Sequence, residues 1–97
     1  MLNSKQRAFL RSKSNQMETI FQVGKGGIGE TLVKQVNDAL TAREMIKLRV
    51  LESSLLTARE AGEALAEECH AELVCAIGTR FVLFRRNPKK PIYEFDV

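Results

Sequence analysis

Val23-Gly24-Lys25-Gly26-Gly27-Ile28-Gly29, the stretch VGKGGIG, carries four of the six glycines in this chain together with one lysine. It satisfies two spacings at once: GxGxxG through Gly24, Gly26 and Gly29, and GxxG through Gly24 and Gly27. The first spelling cradles a dinucleotide pyrophosphate where a strand turns into a helix; the second lets a main chain close on a nucleic-acid backbone. A third reading is a permissive turn with no ligand. The flanking residues must separate the three.

Immediately before the glycines, Thr19 to Val23 is β-branched and aromatic, which predicts a short strand running straight into the loop. After them, Leu32, Val33, Val36, Ala39 and Leu40 recur at helical spacing from Ile28 to about Thr41, leaving Lys34, Gln35 and Asp38 outward. Further out, residues 3–13 read as a helix capped by Asn3 or Ser4, with Leu2, Phe9 and Leu10 on one side and Arg7 and Arg11 projecting from the other. Met45 to Leu51 alternates, Ile46, Leu48 and Val50 against Lys47 and Arg49, so this strand is expected to be covered on one side and wet on the other. Thr57-Ala58-Arg59-Glu60 is a capping box opening a third helix to about Cys69, with Ala61, Leu65 and Cys69 as its inner stripe. Leu73 to Ile77 and Arg80 to Phe84 are apolar strands joined by Gly78-Thr79, a tight hairpin turn. Past Asn87 the chain holds both prolines, and its Ile92 to Phe95 segment either adds an edge strand or stays loose.

The resulting order, α-β-α-β-α-β-β, implies an α/β fold: a four-stranded mixed sheet packed with three helices. Its strand-helix-strand units should form parallel pairs by right-handed crossovers, followed by an antiparallel hairpin. A chain of 97 residues, 44% apolar and 28% charged, suits one domain spanning 1–97. No apolar run reaches the roughly 18–20 residues that span a bilayer, and no signal-peptide segment follows the basic N-terminus, so a soluble, cytoplasmic protein is expected. Cys69 and Cys75 lack CxxC spacing and make no recognised ligand set with His70, so reduced thiols and no metal site are expected.

Net charge is only +3, but it is unevenly spread. Residues 1–17 carry Lys5, Arg7, Arg11 and Lys13 with no acid, and residues 79–90 carry Arg80, Arg85, Arg86, Lys89 and Lys90, again with none. Residues 52–72 hold Glu52, Glu60, Glu63, Glu67, Glu68 and Glu72 against Arg59 alone. A molecule with one basic and one acidic side suits a polyanionic partner on the basic face.

A dinucleotide fold needs an acid about 20 residues beyond the loop, at the end of the second strand. Glu44 has the count but precedes that strand, while Glu52 has the position but comes too late. The length leaves no room for a second nucleotide-binding half, and this fold has no use for the basic helix ahead of the loop. A Walker loop needs GxxxxGK[ST], and Lys25 is followed by glycine. No Ser/His/Asp or Cys/His set emerges either. A backbone clamp uses everything present: glycines that admit a phosphate, helix-start N–H groups, and Lys25 for charge.

Ser4-Lys5-Gln6-Arg7-Ala8-Phe9-Leu10-Arg11, Gly24-Lys25-Gly26-Gly27-Ile28, Met45-Ile46-Lys47-Leu48-Arg49, and Ala76-Ile77-Gly78 leading to Val82-Leu83-Phe84-Arg85 together resemble the CRM domain (chloroplast RNA splicing and ribosome maturation) in its bacterial single-domain YhbY-type form. The resemblance implies a non-enzymatic RNA-binding domain, similar in fold to the C-terminal domain of translation initiation factor three. Its implied partners are ribosomal RNA and the precursor of the large ribosomal subunit, with no cofactor, membrane or small-molecule substrate. By the same resemblance Gly24, Lys25, Gly26 and Gly27 contact RNA, with Lys5, Arg7 and Arg11 beside them; the charge pattern adds Lys13, Lys34, Arg80, Arg85 and Arg86. Gly29 departs from the family, which usually places threonine, serine or asparagine there. Two other classes remain in view, a small nucleotide-binding enzyme and a protein-interaction module using the glutamate-rich third helix.

Overall fold

The computed structural model describes residues 2–89 and 91–93. Helix α1 spans Ser4–Ser14 and is opened by Asn3, whose side chain accepts from Gln6 N at 2.8 Å while the Gln6 side chain accepts from Asn3 N at 3.0 Å. Strand β1 (Thr19–Val23) leads through the glycine loop into α2 (Glu30–Arg43), then β2 (Met45–Val50), α3 (Ala58–Cys69), β3 (Glu72–Ile77) and β4 (Arg80–Phe84). Gly29 is the N-cap of α2, and this helix runs past Thr41 because Glu44 N still donates to Leu40 O. The Thr57 and Glu60 capping box of α3 forms with both of its hydrogen bonds.

The sheet order is β1-β2-β4-β3. β1 and β2 pair in parallel with α2 as their crossover, whereas β4 pairs antiparallel with both β2 and β3. The strand-helix-strand unit β2-α3-β3 therefore does not yield neighbouring strands: β2 and β3 share a direction, and β4 lies between them. The cause is in the residues of β4. Phe81, Val82, Leu83 and Phe84 are all buried, a pattern that suits a central strand covered on both faces, and Gly78, at φ +61°, makes the turn that folds β4 back.

The face of β2 expected to be wet is covered only at its start: Met45 is buried, while Lys47 and Arg49 stay partly exposed. On one face Ile46, Leu48, Val50, Phe81 and Leu83 pack against Val36 and Leu40 of α2 and Ala61 and Leu65 of α3. Gly62 permits the close approach of α3, since a Cβ there would lie 2.6 Å from Leu73 Cδ1 and 3.1 Å from Phe81 Cδ2. On the other face α1 lays Leu2 and Leu10 over Met45, Val74, Val82 and Phe84. Where α1 ends, Lys47 Nζ donates to Ser14 O at 3.2 Å, a cation at the negative end of the helix. The molecule is thus three layers, α1 on one side of the sheet and α2 with α3 on the other.

Glu44 joins α2 to β2 at φ 65° and is fully buried. Its carboxylate accepts from Asn87 N at 2.6 Å, Ile92 N at 2.7 Å and Tyr93 N at 2.8 Å, and Arg86 Nη1 stands 3.8 Å away. These bonds decide how the segment after β4 lies: Ile92 and Tyr93 form no strand and are held against the body of the protein. Glu94 and Phe95, the rest of the expected edge strand, lie outside the described residues. Replacing Glu44 by alanine strands those donors, and we expect Glu44→Ala to lower the unfolding free energy by about 3 kcal/mol in urea titrations, with Glu44→Gln intermediate.

Candidate nucleic-acid interface

The loop closes with Gly27 N donating to Gly24 O at 3.1 Å. Gly27, at φ +69°, is the one glycine of the stretch whose backbone demands the residue. A Cβ at Gly26 or Gly29 would meet no described atom within 4 Å, and one at Gly24 would make only ordinary contacts, 3.5 Å to Leu51 Cδ1 and 3.7 Å to Ser53 Oγ. Packing therefore requires no glycine at these three positions, and at Gly26 and Gly29 the bare backbone borders open space, near the exposed Lys25. Gly29 offers no side-chain cap, so the first amides of α2 lack that acceptor. Glu30 in the first helical turn already places a negative charge there. The anion-attracting charge of this corner is consequently Lys25 rather than the helix end.

Lys5, Arg7, Arg11 and Lys13 are all exposed on α1. Lys13 Nζ sits 5.4 Å from the centroid of the Phe9 ring, a cation–π contact that leaves its charge at the surface. Arg7 lines a groove along β3 whose other wall is Arg59, Glu63 and Glu67 of α3. Arg11 stands near Cys75: burial pushes that thiol above its ordinary value, while Arg11 and Lys47, with a hydrogen bond from Ser14, pull the other way. Burial likewise raises the Cys69 thiol, so both cysteines are held as thiols.

The second basic block is divided by the fold. Arg85, expected at the interface, is committed to the protein. Its Nη1 donates to Asn37 Oδ1 at 2.6 Å and Cys69 O at 2.8 Å, and its Nη2 to Asn37 O at 3.0 Å and Thr41 Oγ1 at 2.7 Å. It ties the body of α2 to the end of α3, and a guanidinium bonded to four acceptors has little left for a phosphate. Arg86 donates to Tyr93 O at 2.7 Å, lies over the Phe84 ring at 5.7 Å and faces Glu44. Lys34 is exposed on α2, near Gly29 and Glu30. Arg80 opens β4 at the loop end of the sheet, exposed.

Two cations escaped the reading of charge blocks, Lys47 and Arg49. They sit singly between apolar residues of β2, so no run of charge marks them, although the alternation had already placed them together on one face. Glu44, which has the count for a ribose-binding acid, has both carboxylate oxygens occupied by backbone amides of the segment after β4. No group of three or more His, Cys, Asp or Glu residues capable of holding a metal occurs among the described residues.

The family model that describes the CRS1 / YhbY (CRM) domain matches residues 2–85 of the chain. The chain is 42% identical over 94 residues to the Bacillus subtilis protein named Probable RNA-binding protein YqeI, covering 97% of this chain and 98% of that one. It is 28% identical over 91 residues to a Haemophilus influenzae protein named RNA-binding protein, covering 94% and 92% respectively. Among solved structures it is similar to that of the Staphylococcus aureus hypothetical protein SAV1595, at a TM-score of 0.80 and 40% identity over 100% of this chain and 99% of that chain.

The division among the glycines is measurable. Gly27→Ala should cost about 1 kcal/mol of stability through its left-handed backbone, whereas Gly26→Ala should leave the melting temperature unchanged. Arg85→Gln, in contrast, should lower stability by about 2 kcal/mol in urea titrations.

Proposed function

We propose, on the premise that this chain belongs to the CRS1 / YhbY (CRM) domain family, that it binds structured ribosomal RNA and assists assembly of the large ribosomal subunit, without catalysing a reaction. One observation carries the reading: three glycines of the loop, Gly24, Gly26 and Gly29, are demanded by neither packing nor a left-handed backbone. A residue type that the fold does not require is explained by what must approach from outside. A phosphate can reach main-chain N–H groups there with no Cβ in the way, and Lys25 supplies its counter-charge. The acid-free α1, with Lys5, Arg7 and Arg11 exposed, extends the positive surface, and the names of the relatives are consistent with that use.

Recognition of this kind reads shape and backbone. Phe81 and Phe84 are buried in the core and Phe9 and Phe21 are half-buried, so among the described residues the sheet displays no aromatic platform of the sort on which RRM-type sheets stack bases. Affinity should accordingly depend on salt, because each phosphate neutralised releases condensed counterions.

In filter-binding titrations with large-subunit ribosomal RNA fragments, Lys25→Glu and Arg7→Glu/Arg11→Glu should each weaken binding by about tenfold or more. The protein should co-sediment with large-subunit precursors. Binding indifferent to salt and to these changes would sink the proposal.

A further inference from the structure

α1 and the glycine loop, the two contact regions proposed above, are not adjacent. α1 ends where Ser14 meets Lys47, and the loop begins after Val23, which pairs with Val50. The three residue steps of β2 from Lys47 to Val50 cover about 10 Å. What occupies that interval on the α1 side of the sheet is a row in register across all four strands: Gln22 opposite Arg49, Arg49 opposite Arg80, and Arg80 opposite Ile77. We propose that this row is a second RNA-contacting ledge, in which Arg49 and Arg80 share one backbone phosphate and the hollow beside Ile77 receives an adjoining base. The inference rests on the RNA-binding reading and extends it to residues outside both the loop and α1.

Arg49 and Arg80 are direct cross-strand partners, and like charges so placed repel. Neither forms an ion pair with any described residue, the described pairs being limited to Arg86 with Glu44. Arg49 is nonetheless positioned: with the Gln22 carboxamide turned so that its oxygen faces the guanidinium, it accepts from Arg49 Nη2 at 2.9 Å and Nε at 3.3 Å. An oriented guanidinium beside a second one, with no described acid in ion-pair contact with either, is the arrangement that an oxyanion bridges by bidentate hydrogen bonding.

The neighbouring hollow argues for nucleic acid over an acidic peptide. It lies between Ser14 and Lys47 on one side and Ile77, Arg80 and Val82 on the other. Ile77 is 56% exposed, on a face whose lower half α1 covers with apolar side chains. An apolar floor with a cationic rim suits the flat face of a base attached to a phosphate; an acidic peptide would use the rim and leave the floor wet.

The test uses the full chain and an RNA hairpin carrying a single-stranded flank, with Arg49→Gln, Arg80→Gln, the double variant, Ile77→Ser and Lys25→Glu. The double variant should melt no lower than the parent, since a repulsion is removed, yet bind about tenfold or more weakly. Its log Kd against log salt slope should fall by about 0.7 to 0.9, the value of one phosphate contact. Ile77→Ser should weaken binding with the slope unchanged. Parental affinity and slope in the double variant, with binding lost in Lys25→Glu, would overturn the ledge and leave the RNA-binding reading standing. A slope change of about twice that size would overturn the shared phosphate, and loss of polyglutamate binding with RNA binding intact would assign the ledge to protein. Failure of the parent protein to bind the RNA would remove both readings together.

Discussion

A carboxylate removed from water must be supplied with donors, and Glu44 is such a group, fully buried where α2 gives way to β2. Much of the polar organisation of the molecule gathers around it. Its donors come from residues that follow β4, so burying it requires the chain to return across the end of the sheet. Arg85 N donates to its carbonyl, and the Arg85 side chain then reaches over to α2 and α3. One end of the sheet is thereby spent on holding layers together. The opposite end, where β1 enters the glycine loop and β4 begins, carries few such obligations, and its cations and bare backbone stay open to solvent.

That division explains why basic residues of similar appearance differ so much in what they can do. Arg85 and Arg80 both flank the same strand. The first is saturated by four protein acceptors, and the second has no ion-pair partner among the described residues. Lys47 occupies a middle position, one face of its ammonium on the last turn of α1 and its charge still felt at Cys75. A count of positive charge would rank these residues alike; the acceptors around them do not.

Features set by neighbours in sequence were legible in the letters. The Thr57 and Glu60 box, the Asn3 cap, the alternation of β2 and the strand, loop and helix around VGKGGIG all depend on residues a few positions apart, and each appears. What depended on distant partners was not legible. The insertion of β4 between β2 and β3, the covering of Met45 at the start of β2 by α1, and the four acceptors of Arg85, which stand 16 to 48 positions away, are decided by packing. The glycines show both sides of this. Their spacing marked the loop, but only the backbone angle of Gly27 and the empty space around Gly26 and Gly29 separate the glycine the turn needs from those it does not.

The place of β4 has a temporal consequence. Among the described strands it comes last in the chain and is yet an interior one, the partner of β2 on one edge and β3 on the other. During synthesis β1 and β2 can pair, but β3 has no neighbour until Arg80 to Phe84 emerge, and the donors for Glu44 emerge later still. Cooperative folding thus waits on β4 and the segment after it, which makes the insertion of that strand, rather than the formation of any one helix, the event that commits the sheet to its native order.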